Sequence, residues 1–210
     1  MRRLLVALMA CAFLAGCGSS GDGDAGGQAG GPIGSAPTPD AGRANPASPD
    51  MVAKRKASHL EACAPGSGSD GGLPKVTLPC LGGGPAASLA GFHGPLVINL
   101  FQGFCEPCRQ EMPALAAFYK AYGKKVPVIG IDTMDTQPGI ALDRAIQRGI
   151  TFPLYADPVG DLQGSSLSAH FVPTTYVLTS GGKVKLLQSG GMKSAAQVKH
   201  LVEQKLGITL

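Results

Sequence analysis

The sequence predicts an α/β domain with a mixed central sheet covered on both faces. Three observations lead there. Short apolar runs alternate with helical stretches through residues 51–210, the order expected of strand–helix–strand units. The alternation ends in two β-prone runs joined by Ser180-Gly181-Gly182, a hairpin signal, and a last helix. Two cysteines separated by two residues, Cys105 and Cys108, lie where an apolar run meets the start of a helix.

Each element has its own warrant. Lys75 to Leu78 and Ala87 to Ala90 read as the short strands of an N-terminal hairpin. Leu96 to Phe101, apolar except for Asn99, reads as a buried central strand. Glu106 to Tyr122 is expected to be a helix ending before Gly123, with Pro113 bending its interior and removing one hydrogen bond. Val126 to Asp132 is a second buried strand. Pro138 to Arg148 is a helix with proline in its first turn and Gly149 beyond its end. Phe152 to Ala156 suits a short strand, and Gly160 to Ala169 a further helix. Thr174 to Thr179 and Lys183 to Gln188 form the terminal hairpin, and Ser194 caps a helix running to Lys205.

The front of the chain is of another kind. Arg2 and Arg3, followed by an apolar run from Leu4 to Ala15, read as an export signal over residues 1–16. At 12 residues the run is too short for a membrane-spanning helix, which takes about 20. Its end, Leu14-Ala15-Gly16-Cys17, resembles a bacterial lipobox. That resemblance implies that Cys17 becomes the first residue of the mature chain and carries lipid, which holds the protein on the extracytoplasmic face of the cell membrane. Stable anchoring takes two or more acyl chains. An ordinary secretory signal cut elsewhere is the alternative, and both readings export the chain. Residues 18–50 hold Gly, Ser, Ala, Pro and Asp and almost no large apolar side chain. With Cys17 they read as a disordered tether, a coil spanning about 30 Å, ahead of one domain over residues 51–210.

Charge excludes some partners. The 18 Lys and Arg face 14 Asp and Glu, and two of the basic residues, Arg2 and Arg3, leave with the signal. Without a polybasic block or aromatic-basic interleaving, nucleic acid is not expected as a partner.

Cysteine usage fits an oxidising compartment. Of six cysteines, Cys11 leaves with the signal and Cys17 is consumed by lipid, so Cys63, Cys80, Cys105 and Cys108 remain. Four cysteines allow three pairings. If Cys105 pairs with Cys108, the other bridge is Cys63–Cys80, a structural staple whose closure adds about 3 kcal/mol in the chain-entropy picture. A zinc site would want its ligands in close pairs, and Cys63 and Cys80 stand 17 positions apart. No metal and no cofactor is expected.

The Cys105-Glu106-Pro107-Cys108 pair can close a small disulfide and reopen it. Cys105, at the helix start, sits where the helix dipole favours a thiolate and is the expected attacking thiol. Cys108, one turn on, points inward and completes the exchange by proximity. A haem attachment site would need His at position 109, which is Arg, and a copper-chaperone site would want three residues between the cysteines. Glu106 places a negative charge beside the thiolate, which raises its pKa and makes the pair more reducing. Glu111 lies three residues after Cys108 and six after Cys105, on roughly one helix face with both. Asp132 and Asp135 read as polar groups of the loop after the second strand, and the four histidines are scattered.

The segment Asn99-Leu100-Phe101-Gln102-Gly103-Phe104-Cys105-Glu106-Pro107-Cys108-Arg109-Gln110-Glu111-Met112-Pro113-Ala114-Leu115 resembles the active-site stretch of the thioredoxin superfamily. More narrowly it is similar to the TlpA/ResA-like, membrane-tethered thiol–disulfide oxidoreductases. There an Asn-bearing strand leads through Trp-Cys-x-Pro-Cys to Arg/Lys-x-Glu-x-Pro-x-Leu. The resemblance covers about residues 73–208. One departure is Phe104, which stands where Trp is usual and keeps the aromatic shelf without the indole N–H. The resemblance implies a thioredoxin-like three-layer fold. It also implies that Glu111 modulates thiol ionisation and helps bind substrate. Val172-Pro173-Thr174 is similar to the superfamily's cis-proline loop, which lies against the cysteine pair. Val172, Pro173 and Phe104 are then the substrate-binding residues, with the Val172 backbone adding an extended peptide as a strand.

The function expected is thiol–disulfide exchange with protein cysteines outside the cytoplasm. Glu106 and the resemblance favour a reductant, for example one that keeps the Cys-x-x-Cys-His of apocytochrome c reduced, fed by a transmembrane electron donor. The alternative direction is an oxidase that installs disulfides in exported proteins. A thiol peroxidase would need a Pro-x-x-x-Thr-type turn before its cysteine, and Leu100 to Phe104 shows none.

Overall fold

The structure, a computed structural model, describes residues 45–210 except 65, 67 and 69. The export signal, Cys17 and the tether as far as residue 44 lie outside the described residues.

Five strands form the central sheet: β3 (Leu96–Phe101), β4 (Val128–Thr133), β5 (Leu154–Asp157), β6 (Thr174–Leu178) and β7 (Val184–Ser189). They lie in the order β5-β4-β3-β6-β7. Parallel pairing of β3 with β4 and of β4 with β5, and antiparallel pairing of β3 with β6 and of β6 with β7, make the sheet mixed. Central β3 is buried along its whole length, as a strand paired on both edges and covered on both faces must be. Its side chains alternate between two cores. Val97 and Phe101 join the core formed with helices α2 (Glu106–Tyr122), α3 (Pro138–Gln147) and α4 (Ala195–Leu206); Ile98 and Leu100 join the other.

Among the described residues the second face is covered without an α-helix. The hairpin of β1 (Thr77–Leu78) and β2 (Ala87–Ser88), followed by a 3₁₀ turn over Leu89–Gly91, packs there with Leu162 and Leu167. The helix expected over Gly160 to Ala169 is a run of turns instead. Gly160 and Gly164 sit at φ +78° and +76°, which a right-handed helix excludes. The Asp157 carboxylate also captures the Asp161 and Leu162 amides, at 2.7 and 3.3 Å.

The sequence reading also lacks helix α1 (Pro49–Ala57), which begins inside the stretch read as tether. Only Met51 of this helix is buried, and Asp50, Lys54, Arg55 and Lys56 leave no apolar period to read. Polar contacts hold it: Lys54 pairs with Asp143 of α3 at 2.7 Å, and the Arg55 guanidinium donates to the carbonyls of Leu81 and Glu61. Beside it, Pro79–Leu81 runs along the outer edge of β5, with Leu81 N–H donating to Leu154 O and Ala156 N–H to Pro79 O. That covers an edge which would otherwise present unpaired backbone groups. A disulfide joins Cys80 of this segment to Cys63.

Candidate active site

The site forms at the C-terminal end of β3. After Phe101 the chain turns through Gln102-Gly103-Phe104 and enters α2 with Cys105 as its N-cap. Close packing selects the glycine: a Cβ at position 103 would come within 2.6 Å of the Ala141 backbone nitrogen in α3. The turn is pinned from the side by the β4 loop. Gln102 Nε2 donates to Thr133 O at 2.9 Å, and Gly103 N–H donates to Asp135 Oδ2 at 2.8 Å.

Cys105 and Cys108 are disulfide-bonded, with Cα atoms 5.2 Å apart. Cys105 Sγ accepts the Cys108 N–H at 3.1 Å, so one of the amides left open at the helix start points at this sulfur. With the helix dipole, that amide stabilises negative charge there once the disulfide opens. Cys105 is half-buried and Cys108 wholly buried among Phe101, Met112 and Leu115. An incoming group therefore reaches Cys105 first.

Val172 and Pro173 face the pair. Their peptide bond is cis, and Val172 O lies 3.5 Å from Cys105 Sγ. A second cis bond, Gly94–Pro95, went unread in the sequence. Large apolar side chains are exposed in the adjoining loops: Phe104 at 62% just before Cys105, Phe171 at 59% just before Val172, and Met134 at 53%, whose carbonyl lies 3.4 Å from Gln102 Nε2. The sequence reading singled out Phe104 alone. Phe171 and Met134 sit in loops that only the fold brings beside the cysteines.

Glu106 is exposed, pairs with Arg109 at 3.0 Å and accepts from Gln110 Nε2 at 3.1 Å. Its charge is thus partly compensated within its own helix. Glu111 is buried, at 1% exposure. Its Oε1 accepts from Asn99 Nδ2 at 2.7 Å and its Oε2 from Met192 N–H at 3.1 Å. Burial, partly offset by those two bonds, pushes its carboxyl up from 4.5 to about 7. Asn99 also donates to Thr175 Oγ1 at 3.0 Å. Asn99, Thr175 and Met192 were not read as site residues, although a polar side chain within an otherwise apolar buried strand signals a required partner.

Asp132 is no loop residue: it lies within β4 and is buried. Asp135 does follow the strand and reaches the cysteine turn through Gly103. Among the described residues no group of His, Cys, Asp and Glu is arranged to hold a metal ion. A cavity of about 1000 Å³ opens at the opposite end of β3, beside Leu96, Pro127 and Pro153, away from the sulfurs.

Fold and site define a thioredoxin-like protein with a disulfide-forming cysteine pair at the start of its central helix. The chain belongs to the AhpC/TSA family, which matches residues 72–187. The thioredoxin-like protein YneN of Bacillus subtilis strain 168 is 30% identical over 128 residues, 60% of this chain and 71% of its own length. The thiol–disulfide oxidoreductase ResA of Geobacillus thermodenitrificans is 31% identical over 109 residues, covering 50% of this chain and 59% of ResA. A secreted disulfide oxidoreductase of Mycobacterium tuberculosis, homologous to E. coli DsbE, superposes with a TM-score of 0.54 at 19% identity. The superposition covers 62% of this chain and 96% of that one, a likeness of fold.

Proposed function

We infer that the protein is an extracytoplasmic thiol–disulfide oxidoreductase acting on protein cysteines, held at the membrane by lipid on Cys17 and working as a reductant. The observation that carries the reading is the asymmetry of the Cys105–Cys108 pair. One sulfur is reachable, aligned with a helix N-terminus and beside the Val172 carbonyl; the other is sealed in the core.

In the reduced protein the Cys105 thiolate attacks a partner disulfide. A mixed disulfide forms and one partner sulfur leaves as a thiolate. Cys108 then attacks Cys105 Sγ, releasing the second partner thiol and closing the Cys105–Cys108 bond. Two electrons pass to the partner. The buried Cys108 thiol must lose its proton for that step. Glu111, one helical turn away and titrating at about 7, is the group suited to take it. The Val172 backbone and the Phe104 shelf receive the partner as an extended strand. Relatives named ResA support the oxidoreductase class. Reduction of an apocytochrome c Cys-x-x-Cys-His, with electrons supplied by a transmembrane donor, is the proposed use.

Two measurements test this. Cys108→Ser is expected to accumulate a mixed disulfide with an added disulfide-bearing protein, and Cys105→Ser is expected to trap nothing and reduce no insulin. The midpoint potential of the pair is expected at about −250 mV for a reductant; about −120 mV would reverse the direction.

A further inference from the structure

Asp132 is the least explained polar group among the described residues. It lies in β4 opposite Phe101 of β3, is 1% exposed, and neither of its oxygens receives an N–H or O–H from another residue. A bare carboxylate in that position would be strongly destabilising. What faces it is acidic. Asp135 comes from the turn after β4, and Asp157 of β5, registered with Thr133 and so on the other face of the sheet, adds negative charge from nearby. No cation answers from the packed helices: Glu106 and Arg109 of α2 pair with each other, Asp143 of α3 pairs with Lys54, and Arg144 of α3 donates to Gln147.

Asp135, by contrast, accepts on both of its oxygens. Its Oδ2 takes the Gly103 N–H at 2.8 Å and its Oδ1 the Gln137 N–H at 2.7 Å. It therefore clasps the turn before Cys105 to the entry of α3. Both bonds need Asp135 as a carboxylate. With Asp132 alongside, only one of the two carboxyls can carry charge cheaply, and the geometry says which.

We propose that Asp132 holds a proton in the native protein and donates it to Asp135, so that the pair bears one charge and positions the Gln102–Phe104 turn, and through it Cys105. Asp132 is a positioning residue that acts through the turn rather than on the reacting sulfurs. Burial, the charge of Asp135 and the bond to it, and the charge of Asp157 together hold the Asp132 carboxyl well above the ordinary carboxylate range. When Asp132 does ionise, it repels Asp135, the Gly103 amide loses its acceptor and the turn loosens.

The inference rests on Cys105 being the reactive sulfur, but its first test does not. In the disulfide-bonded full chain neither Cys105 nor Cys108 titrates, so the Gly103 amide resonance reports the clasp directly. It is expected to show a movement well above the ordinary carboxylate range, where Asp132 ionises. Asp132→Asn keeps the donor to Asp135 without a proton to lose, so the movement is expected to vanish. Glu111→Gln, which removes the other carboxyl with a raised pKa, is expected to keep it. The absence of any such high-pH movement in the wild type, or a movement that persists in Asp132→Asn, overturns the proposal. So does a failure of Asp132→Asn to fold, because the amide reproduces a protonated Asp132. The second test is kinetic. The ratio of wild-type to Asp132→Asn rates of disulfide reduction by a small dithiol is expected to fall several-fold across the pH range in which Gly103 moves. A ratio constant with pH removes the positioning role.

Discussion

Asn99 Nδ2 lies 2.7 Å from Glu111 Oε1, and this bond ties the central strand to the helix that carries both sulfurs. It joins residues 12 positions apart and depends on α2 docking its inner face on β3. Burial raises the Glu111 carboxyl to about 7, while the donors Asn99 and Met192 limit the rise. A carboxyl that changes charge near neutrality therefore stands one helical turn from a buried thiol.

Glu111→Gln is expected to flatten the dependence of stability on pH. Below the ordinary value of 4.5 the carboxyl is neutral in folded and unfolded chains alike. Between there and about 7 only the unfolded chain ionises, so wild-type stability falls as pH rises through that window. The slope is at most about 1.4 kcal/mol per pH unit for one group. Urea unfolding at a series of pH values measures it. A variant whose slope matches the wild type would show that Glu111 titrates normally.

Asn99→Ala removes one of two donors to Glu111 and the donor to Thr175 Oγ1. A loss of about 1–3 kcal/mol is expected from the buried acceptors left open. The step attributed to Glu111 in the pH profile should move above 7. In the Asn99→Ala/Glu111→Gln double variant the two losses should fail to add, because both touch one bond. Additive losses in denaturant unfolding would mean that the contact contributes little.

What could be read from the chain alone follows from how local each feature is. Leu96–Phe101 and Glu106–Tyr122 were legible because a six-residue buried run and a helix bounded by Cys105 and Gly123 are written in consecutive residues. Cys105, Cys108 and Glu111 stood out by spacing. Gly160 to Ala169 misled, because its helical composition is overridden by two left-handed glycines and by Asp157, three residues upstream of Gly160. Helix α1 was missed because side-chain contacts to Asp143, Leu81 and Glu61, not an apolar face, hold it. The partners Asn99, Thr175, Met192 and the Asp135–Gly103 bond require the register of distant strands, which no window of sequence contains.

Replacing Cys63 and Cys80 together by Ala is expected to lower stability by about 3 kcal/mol while leaving the midpoint potential of Cys105–Cys108 unchanged. The bridge belongs to the core on the opposite face of the sheet from Cys108. It closes a loop between positions 17 apart, next to the covered edge of β5. Denaturant unfolding with and without reductant, alongside redox titration, separates the two effects. A shifted potential would make the second bridge part of the redox chemistry.

Glu106→His is expected to raise the midpoint potential. The carboxylate opposes a Cys105 thiolate, and an imidazole that can be cationic would favour it. The effect should be modest, because Glu106 already pairs with Arg109 and is exposed to solvent. Redox titration against glutathione measures it, and an unchanged or lowered potential would remove Glu106 from the tuning of the pair.

Phe171→Ala is expected to separate recognition from chemistry. Phe171 precedes Val172, whose carbonyl lies 3.5 Å from Cys105 Sγ, and the residue is 59% exposed. Removing it should alter stability by no more than about 0.5 kcal/mol, as for most surface positions. A partner polypeptide that covers the ring with about 60 Å² of apolar surface would gain about 1.5 kcal/mol, or roughly tenfold in affinity. KM for a protein disulfide should therefore rise by about that factor while the rate with a small dithiol, which makes no such contact, stays as it was. Equal losses with both substrates would assign the ring to the geometry of the Val172 loop and leave the docking surface to Phe104 and Met134.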